Sequence, residues 1–585
     1  MAQVRHRSDY AETGFTNGYE FTQGSGYQLP EYPFVAPSEL TSHKRIRHPV
    51  VIVGGGITGL TLACALAHLG VKAVLLDEDN TVGVKGASSR GICYTQKSLE
   101  IFHKLGIYER IVGKGIQWSV GRTFAGETEV YSFDLRQQSN FNLSTQPPFI
   151  NIQQFYIEGF LVERILTLGH VDLRWSSRVT AFEQNADFAT LTVQTPAGNY
   201  QIDADHVIDA TGSHTPFHKW VGATMQSKKG DDRWCIADVR FSKHPPVERH
   251  TWIEAPFNEN RAVWQHLMAD NVWRIDYQMA PNADPDYVSR EDVVRERLQR
   301  QFGQDVEVEI VWVGPYAYKS QCLDCLRAGR VFFMGDTAKI VSPFGARGGN
   351  TGVADADNLA WKLAAVLRNQ AAPGLLGSYD QERCEAAQQN VQVTNRTARF
   401  LRPADGMERV FRNATISLAK QHLFARALIN TGRMAVANAY TQSMVCECGS
   451  QNKPGLGGIS VQNVTIGFDQ QGIQQGTLNE LLTWCEGRLL LLVFGRIPAM
   501  DVPRLQALAQ QYPLRVVQVL KPTQAPAALE HVFDPHGHLR VAAQAESSRW
   551  ALLRPDAYLA GTGTGGPQWR SQVTALLQKA LALRR

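Results

Sequence analysis

The feature that most constrains this chain is Gly54-x-Gly56-x-x-Gly59, set between the β-branched run His48-Pro49-Val50-Val51-Ile52-Val53 and a helix-like stretch ending near Gly70. Glycines at this spacing let a strand turn tightly into a helix, admit a pyrophosphate against the backbone, and pack helix on strand. The helix opens at Ile57 and Thr58, where free N–H groups and the positive dipole end favour phosphate. A second apolar strand, Val71-Lys72-Ala73-Val74-Leu75-Leu76, ends at Asp77 and Glu78. An acid at that place accepts hydrogen bonds from both ribose hydroxyls of an adenosine diphosphate, and completes a βαβ unit of about 30 residues. FAD and NAD share this half, so the turn alone leaves the choice between them open.

The rest of the chain sets the frame. Its 585 residues exceed one ordinary domain,. With 44% hydrophobic and 19% charged residues and no apolar run of membrane-spanning length, it reads as a globular protein that does not cross a membrane,. A net charge of +4, spread over interspersed charges, argues against nucleic acid as a partner,. Nine scattered cysteines, with one CxxC (Cys322, Cys325) and one CxC (Cys446, Cys448), lack the four matched ligands of a structural zinc site,. They read as reduced thiols in a cytoplasmic enzyme with no metal.

Alternating runs between Ser177 and Ile208 predict antiparallel strands,. The stretch from Trp234 to Val313 is strand-rich and aromatic. After it come a buried strand at Val331-Phe332-Phe333-Met334, a long helix from Asn350 to about Leu367, and mainly helical chain over 376–445. Pro454-Gly455-Leu456-Gly457-Gly458 predicts a boundary, followed by a small α/β tail with strands at Leu489–Phe494 and Leu514–Leu520 and a helix over Gln568–Leu583,. The expected division is a leader over 1–47 that wraps the surface or stays mobile; an FAD domain over 48–233 and 321–450; a substrate sheet over 234–320; and the tail over 459–585.

The flavin side rests on Gly329-Arg330-Val331-Phe332-Phe333-Met334-Gly335-Asp336, then Ser342-Pro343-Phe344-Gly345-Ala346-Arg347-Gly348-Gly349-Asn350-Thr351-Gly352 and Asp355-Ala356-Asp357-Asn358-Leu359-Ala360-Trp361-Lys362-Leu363. This segment resembles the second FAD motif of the aromatic-ring hydroxylases, the group that includes para-hydroxybenzoate hydroxylase, phenol hydroxylase and 3-(3-hydroxyphenyl)propionate hydroxylase. The resemblance extends over nearly all the chain after residue 48. It implies an α/β fold in which a Rossmann-like FAD domain is interleaved with a β-sheet substrate domain. It also implies that Asp336 holds the ribityl chain, that Pro343 lies beside the flavin ring, that Gly349, Asn350 and Thr351 present backbone N–H groups to its pyrimidine edge, and that Gly335 and Gly348 belong to the same cofactor-binding set. Arg90 matches an arginine contacting the cofactor, Gln154 a glutamine near the ribityl chain with Gln153 as competitor, and Val179 a backbone contact to adenine. Trp550-Ala551-Leu552-Leu553-Arg554-Pro555-Asp556-Ala557-Tyr558 resembles the end of a thioredoxin-like C-terminal domain; lacking Cys-x-x-Cys, it suits packing or a dimer contact rather than redox work,.

Two positions depart from the family. Thr211, in Val207-Ile208-Asp209-Ala210-Thr211-Gly212, stands where the family has an aspartate, and Lys339 where it has a histidine. A hydroxyl still makes hydrogen bonds but carries no charge. The lysine is expected either to attract an anion to the flavin face or to be solvated.

The implied activity is hydroxylation of a phenolic compound, such as a hydroxyphenyl carboxylic acid, with FAD, NADH or NADPH, and O2, through a C4a-hydroperoxyflavin, in a homodimer. The protein must then exclude water, orient the ring and help deprotonate the phenol. In the aromatic sheet His266, Arg274 and Tyr277 have suitable chemistry as base, carboxylate clamp and phenol partner, and Tyr316 and Tyr318 are further candidates,. Strand alternation puts Arg274 and Asp276 on one face and Ile275 and Tyr277 on the other, so only one pair can face a pocket. The rival readings are a flavin reductase or electron carrier without oxygen insertion, and a non-catalytic FAD-stabilised dimer. A halogenase would carry Trp-x-Trp-x-Ile-Pro, which the chain lacks.

Overall fold

A computed structural model of the chain describes residues 29–83, 91–213, 215–243, 245–430, 434–450, 453–470, 473–526, 529–566 and 568–583. The β-branched run forms the strand Arg47–Val53, whose last four residues are buried. It sits at the centre of a sheet with Gly198–Asp209 on one side and Ala73–Leu76 on the other, both parallel to it. Val331–Phe333 and Val171–Arg174 extend the parallel part outwards. The two strands Arg178–Gln184 and Ala189–Thr195 hang from Gly198–Asp209 as an antiparallel insert. Parallel strands buried on both faces explain the near-continuous apolar runs in the sequence.

The helix Ile57–His68 is buried at every position up to Ala67. It packs against the long helix Gly348–Leu367 and the helix Gln154–Leu168. A helix apolar all round can only be an interior one, and this one ties both halves of the FAD domain together.

The second large sheet runs in the order Lys339–Ile340, Val308–Leu323, Met225–Phe241, Trp273–Gln278, Arg261–Leu267, Arg249–Ala255, Val120–Ala125, Thr128–Asp134. Its membership corrects the expected boundaries. The hairpin Val120–Ala125 and Thr128–Asp134, expected in the FAD domain, joins this sheet through a parallel pairing with Arg249–Ala255. Met225–Phe241 runs across position 234 and Val308–Leu323 across position 321. Alternation reports that a strand is half-buried; it does not report which distant strand completes the ladder. One face of the sheet packs on the helix Glu291–Phe302 through Tyr277, Ile275, Val294 and Leu298.

The tail forms a seven-stranded mixed sheet, with Leu489–Phe494 and Leu514–Leu520 parallel at its centre and Trp550–Leu553 antiparallel beside them. Helices Leu478–Trp484, Val502–Gln511 and Trp569–Ala580 flank it. Part of the leader is packed rather than loose. Tyr32 stacks on Trp175 at 4.5 Å, and Glu39 is buried between His48 and Arg174. No helix among the described residues is long and apolar enough to cross a membrane.

Candidate functional site

One cavity of about 910 Å³ is lined by both halves of the nucleotide fold and by the inner face of the second sheet. At its nucleotide end, Gly54 holds a φ of +110°, and a Cβ there would sit 2.4 Å from the carbonyl oxygen of Ala210. A Cβ on Gly59 would fall 2.0 Å from the oxygen of Gly54. These two contacts give the spacing its physical reason: the turn closes only without side chains. Gly54, Gly56, Ile57 and Thr58 line the cavity, whereas Gly59 serves the packing behind it.

Asp77 accepts from Gly55 N–H at 2.5 Å and Asp79 N–H at 2.8 Å, so it braces the turn from the neighbouring strand. Burial pushes its carboxyl up to about 7, against the two backbone N–H groups that favour the ionised form,. Glu78 and Val179 also line this end, with Glu78 3.5 Å from Arg178. Gln154 is held between Glu158, to which its amide donates at 2.7 Å, and Gly91, whose N–H it accepts at 3.2 Å. Gln153 is fully buried, donates to Ala269 and lies off the cavity, which separates the two glutamines. Arg90 lies outside the described residues.

At the flavin-motif end, Asp336, Pro343, Gly348, Gly349 and Asn350 line the cavity. The helix Gly348–Leu367 begins here, so the N–H groups of its first residues have no preceding turn to accept them,. Thr351 is a correction: its N–H closes the first turn onto Arg347 at 2.9 Å, and its hydroxyl accepts from Arg383 at 3.0 Å. Gly335 also stands back, donating its N–H to Asp355 at 3.0 Å. Asn350 stitches the helix start to the strand Cys93–Thr95, accepting from Thr95 N–H and donating to the oxygen of Cys93.

Neither expectation for Lys339 holds. Its ammonium is fully buried and ion-paired with Asp355, whose other oxygen accepts from Arg383 at 2.6 Å. A charge so placed can be neither solvated nor offered to a ligand. Thr211 does line the cavity, but its hydroxyl donates to Asp209 at 2.7 Å. Burial raises Asp209 to about 6 despite hydrogen bonds from Thr215 and Thr211.

The second sheet closes the cavity with Arg249, Trp264, His266, Arg274, Asp276, Trp312 and Tyr316, joined by Cys93, Phe344 and Met434. Trp264 stacks on Trp234 at 4.3 Å and meets Phe344 edge-on at 5.3 Å, so the walls are aromatic and rigid,. Arg274 donates to Asp276 at 2.9 Å. His266 Nδ1 stands 3.9 Å from the Cys93 sulfur. Burial, then the charges of Arg249 and Arg274, hold its imidazole well below the usual range, so it is neutral and able to accept a hydrogen bond,. Burial pushes the Cys93 thiol up to about 12, which leaves no thiolate there.

Tyr277 is a further correction. It is fully buried on the opposite face of Trp273–Gln278 and donates to Gln301 at 2.7 Å, away from the cavity. The side chain of Tyr318 lies outside the described residues. Sequence reasoning missed Arg249, Cys93 and Arg347. Arg249 opens a strand whose register places it with His266 and Arg274, and no local spacing carries that signal.

A family model described as FAD binding domain matches residues 47–394. A 3-(3-hydroxy-phenyl)propionate/3-hydroxycinnamic acid hydroxylase of Mycolicibacterium smegmatis is 25% identical over 61% of this chain and 62% of its own length. A second such hydroxylase, from Burkholderia vietnamiensis, is 25% identical over 72% of this chain and 76% of its own. Among solved structures, the flavin-dependent monooxygenase PieE superposes with a TM-score of 0.76 at 22% identity, covering 92% of this chain and all of its own. The p-nitrophenol 4-monooxygenase PnpA of Pseudomonas putida gives 0.58 at 23% identity over 67% of this chain and all of its own.

Proposed function

Since this chain belongs to the FAD binding domain family, we propose that it is a flavin-dependent monooxygenase that hydroxylates a phenolic ring, with NADH or NADPH and O2 as co-substrates. The observation that carries the reading is that one cavity joins a dinucleotide-binding turn to an aromatic-walled end carrying Arg249 and Arg274. A reductase or electron carrier has no use for such an end.

The residues fit FAD. The side-chain-free turn at Gly54 and Gly56, with Ile57 and Thr58 opening the helix, takes the pyrophosphate. Asp77 and Glu78 serve the ribose, Val179 the adenine, and Gln154 and Asp336 the ribityl chain. Pro343 would pack against the ring, and the N–H groups of Gly348, Gly349 and Asn350 would be donors for its pyrimidine edge, where negative charge gathers on reduction,. When bound, FAD supplies the hydride acceptance and oxygen activation that no side chain here can perform.

The remaining tasks fall to the chain. Trp264, Phe344 and Trp312 exclude water and fix the plane of a ring. Neutral His266 accepts a hydrogen bond from the phenol hydroxyl, which draws electron density into the ring and makes its carbons more nucleophilic,. The relatives whose names specify hydroxyphenyl carboxylic acids point to that substrate class. Cytoplasmic placement and a homodimer belong to the same reading. It is supported by nine cysteines all free, and by exposed Met407, Phe411, Leu423 and Phe424 as an apolar surface for a second copy to cover,.

The test is a panel of phenolic acids and alkylphenols given to the purified yellow protein. Phenol-stimulated oxidation of NADH or NADPH, with a product heavier by one oxygen, is expected. Oxidation indifferent to every phenol, with no oxygenated product, would sink the reading.

A further inference from the structure

The second sheet brings two guanidinium groups and one carboxylate, Arg249, Arg274 and Asp276, to the cavity, and they are not evenly matched. Arg274 donates to Asp276 and so is neutralised within its own strand. Arg249 has no carboxylate partner among the described residues. It is only 8% exposed, its Nε has no hydrogen-bond partner, and one Nη donates to the thioether sulfur of Met434 at 3.1 Å. A thioether is a weak, uncharged acceptor. A buried guanidinium, five donors in a fixed fork, is strongly disfavoured without an anion to receive them. The neighbouring groups give it no hydrogen-bonded anion: His266 is neutral, Cys93 keeps its proton, and the Asp276 carboxylate, which attracts Arg249 through space, is hydrogen-bonded to Arg274 instead.

We propose that Arg249 is the anion-binding residue of the substrate pocket, and that it selects aromatic substrates bearing a carboxylate. This rests on the hydroxylase reading above and sharpens it, because it moves the carboxylate clamp from Arg274, which is already paired, to Arg249, which is not. Arg249 stands at the start of Arg249–Ala255, and the adjoining strand Arg261–Leu267 carries His266. A side chain ending in a carboxylate can therefore reach Arg249 while the phenol at the other end of the same molecule meets His266. Planar carboxylate and planar guanidinium match in two parallel hydrogen bonds, a geometry that an uncharged amide cannot reproduce.

The test titrates the FAD-loaded full chain with 3-(3-hydroxyphenyl)propionate and with its primary amide, following the flavin absorbance without reductant. Both probes keep the phenol, so the comparison isolates the carboxylate. The acid is expected to bind the wild-type protein more tightly than the amide. Arg249→Met should weaken acid binding about 100-fold, the size of a lost charge-assisted pair, and bring the acid-to-amide ratio near one, with Arg249→Lys recovering part of the loss. In the FAD-free protein Arg249→Met should not lower the melting temperature, because the buried guanidinium it removes makes no hydrogen bond to a carboxylate,. Equal binding of acid and amide by the wild type, or an acid preference that survives Arg249→Met, would overturn the assignment. Should Arg249→Met fail to fold, the wild-type comparison and Arg249→Lys still decide. Arg249-dependent acid binding without any hydroxylated product would uphold this inference while removing the hydroxylase reading.

Discussion

Arg554, in the C-terminal unit, donates to both carboxylate oxygens of Glu382 on the helix Gly377–Leu401, at 2.5 and 3.0 Å, and both side chains are fully buried. Lys362 and Asn358 of the long central helix reach the same carboxylate at 2.7 Å each. The C-terminal unit is thus bolted to the helix whose first turn lines the cofactor end of the cavity. Removing Arg554 takes from Glu382 its two-pronged partner and strands the buried Asp556, to which Arg554 also donates at 3.0 Å, whereas the intact cluster offsets its own desolvation,. Arg554→Met should therefore cost about 3 kcal/mol of unfolding free energy. A double-mutant cycle with Glu382→Gln should show strong coupling in denaturant unfolding; additive losses would mean that the two residues act separately.

Asp77 leads to a pH prediction for cofactor binding. Its carboxyl is raised to about 7 by burial, and ribose hydroxyls donate best to the ionised form,. FAD affinity of the stripped protein should accordingly weaken as pH falls through about 7, and Asp77→Asn should flatten that dependence. Asp77→Ala should weaken FAD binding roughly 10- to 100-fold at pH 8. Fluorescence quenching of free FAD on titration reads both effects.

Tyr277 tests the side of the sheet. Facing the helix Glu291–Phe302 and bonded to Gln301, it has no access to substrate. Tyr277→Phe should leave phenol-stimulated turnover close to wild type and lower stability by about 1 kcal/mol through the lost hydrogen bond. A collapse of turnover without a loss of stability would place the hydroxyl in the chemistry after all.

Glu39 governs the N-terminal segment. Burial opposes its ionisation, but hydrogen bonds from His48 and Arg174 and the charge of Arg174 prevail and hold its carboxyl down to about 2, against an ordinary value of 4.5. A depressed acid contributes stability that is present above its unfolded value and is lost as pH falls towards the folded one. The segment around Glu39 should thus loosen between about pH 4.5 and 2. Limited proteolysis with an acid protease should cut there several-fold faster at pH 3 than at pH 5, and Glu39→Gln should be cut readily at both.

What the sequence determined by itself was whatever is local or rigidly spaced. Gly54, Gly56 and Gly59 with Asp77 fix a βαβ turn because the steric demands act over a few residues. The strands Leu489–Phe494 and Leu514–Leu520 were legible in the same way, as unbroken apolar runs. The Gly335–Gly352 segment was readable as a cofactor motif because its residues serve one ligand through one short loop and helix start.

Only the tertiary structure decided which strands share a sheet and which face of a strand meets the cavity. The hairpin over 120–134 looks the same in sequence whether it ends one sheet or joins another. Strand alternation paired Arg274 with Asp276 and Ile275 with Tyr277, but a period of two has no inside or outside until a helix covers one face. Lys339 and Arg249 make the contrast sharpest: both are basic residues in strands, and both are buried. Asp355, sixteen positions along the chain from one of them, neutralises Lys339 in a direct ion pair, while Arg249 makes no direct ion pair among the described residues. Whether a charge is spent or available depends on long-range packing, and that is why the sequence could name the cofactor turn but not the residue that awaits an anion.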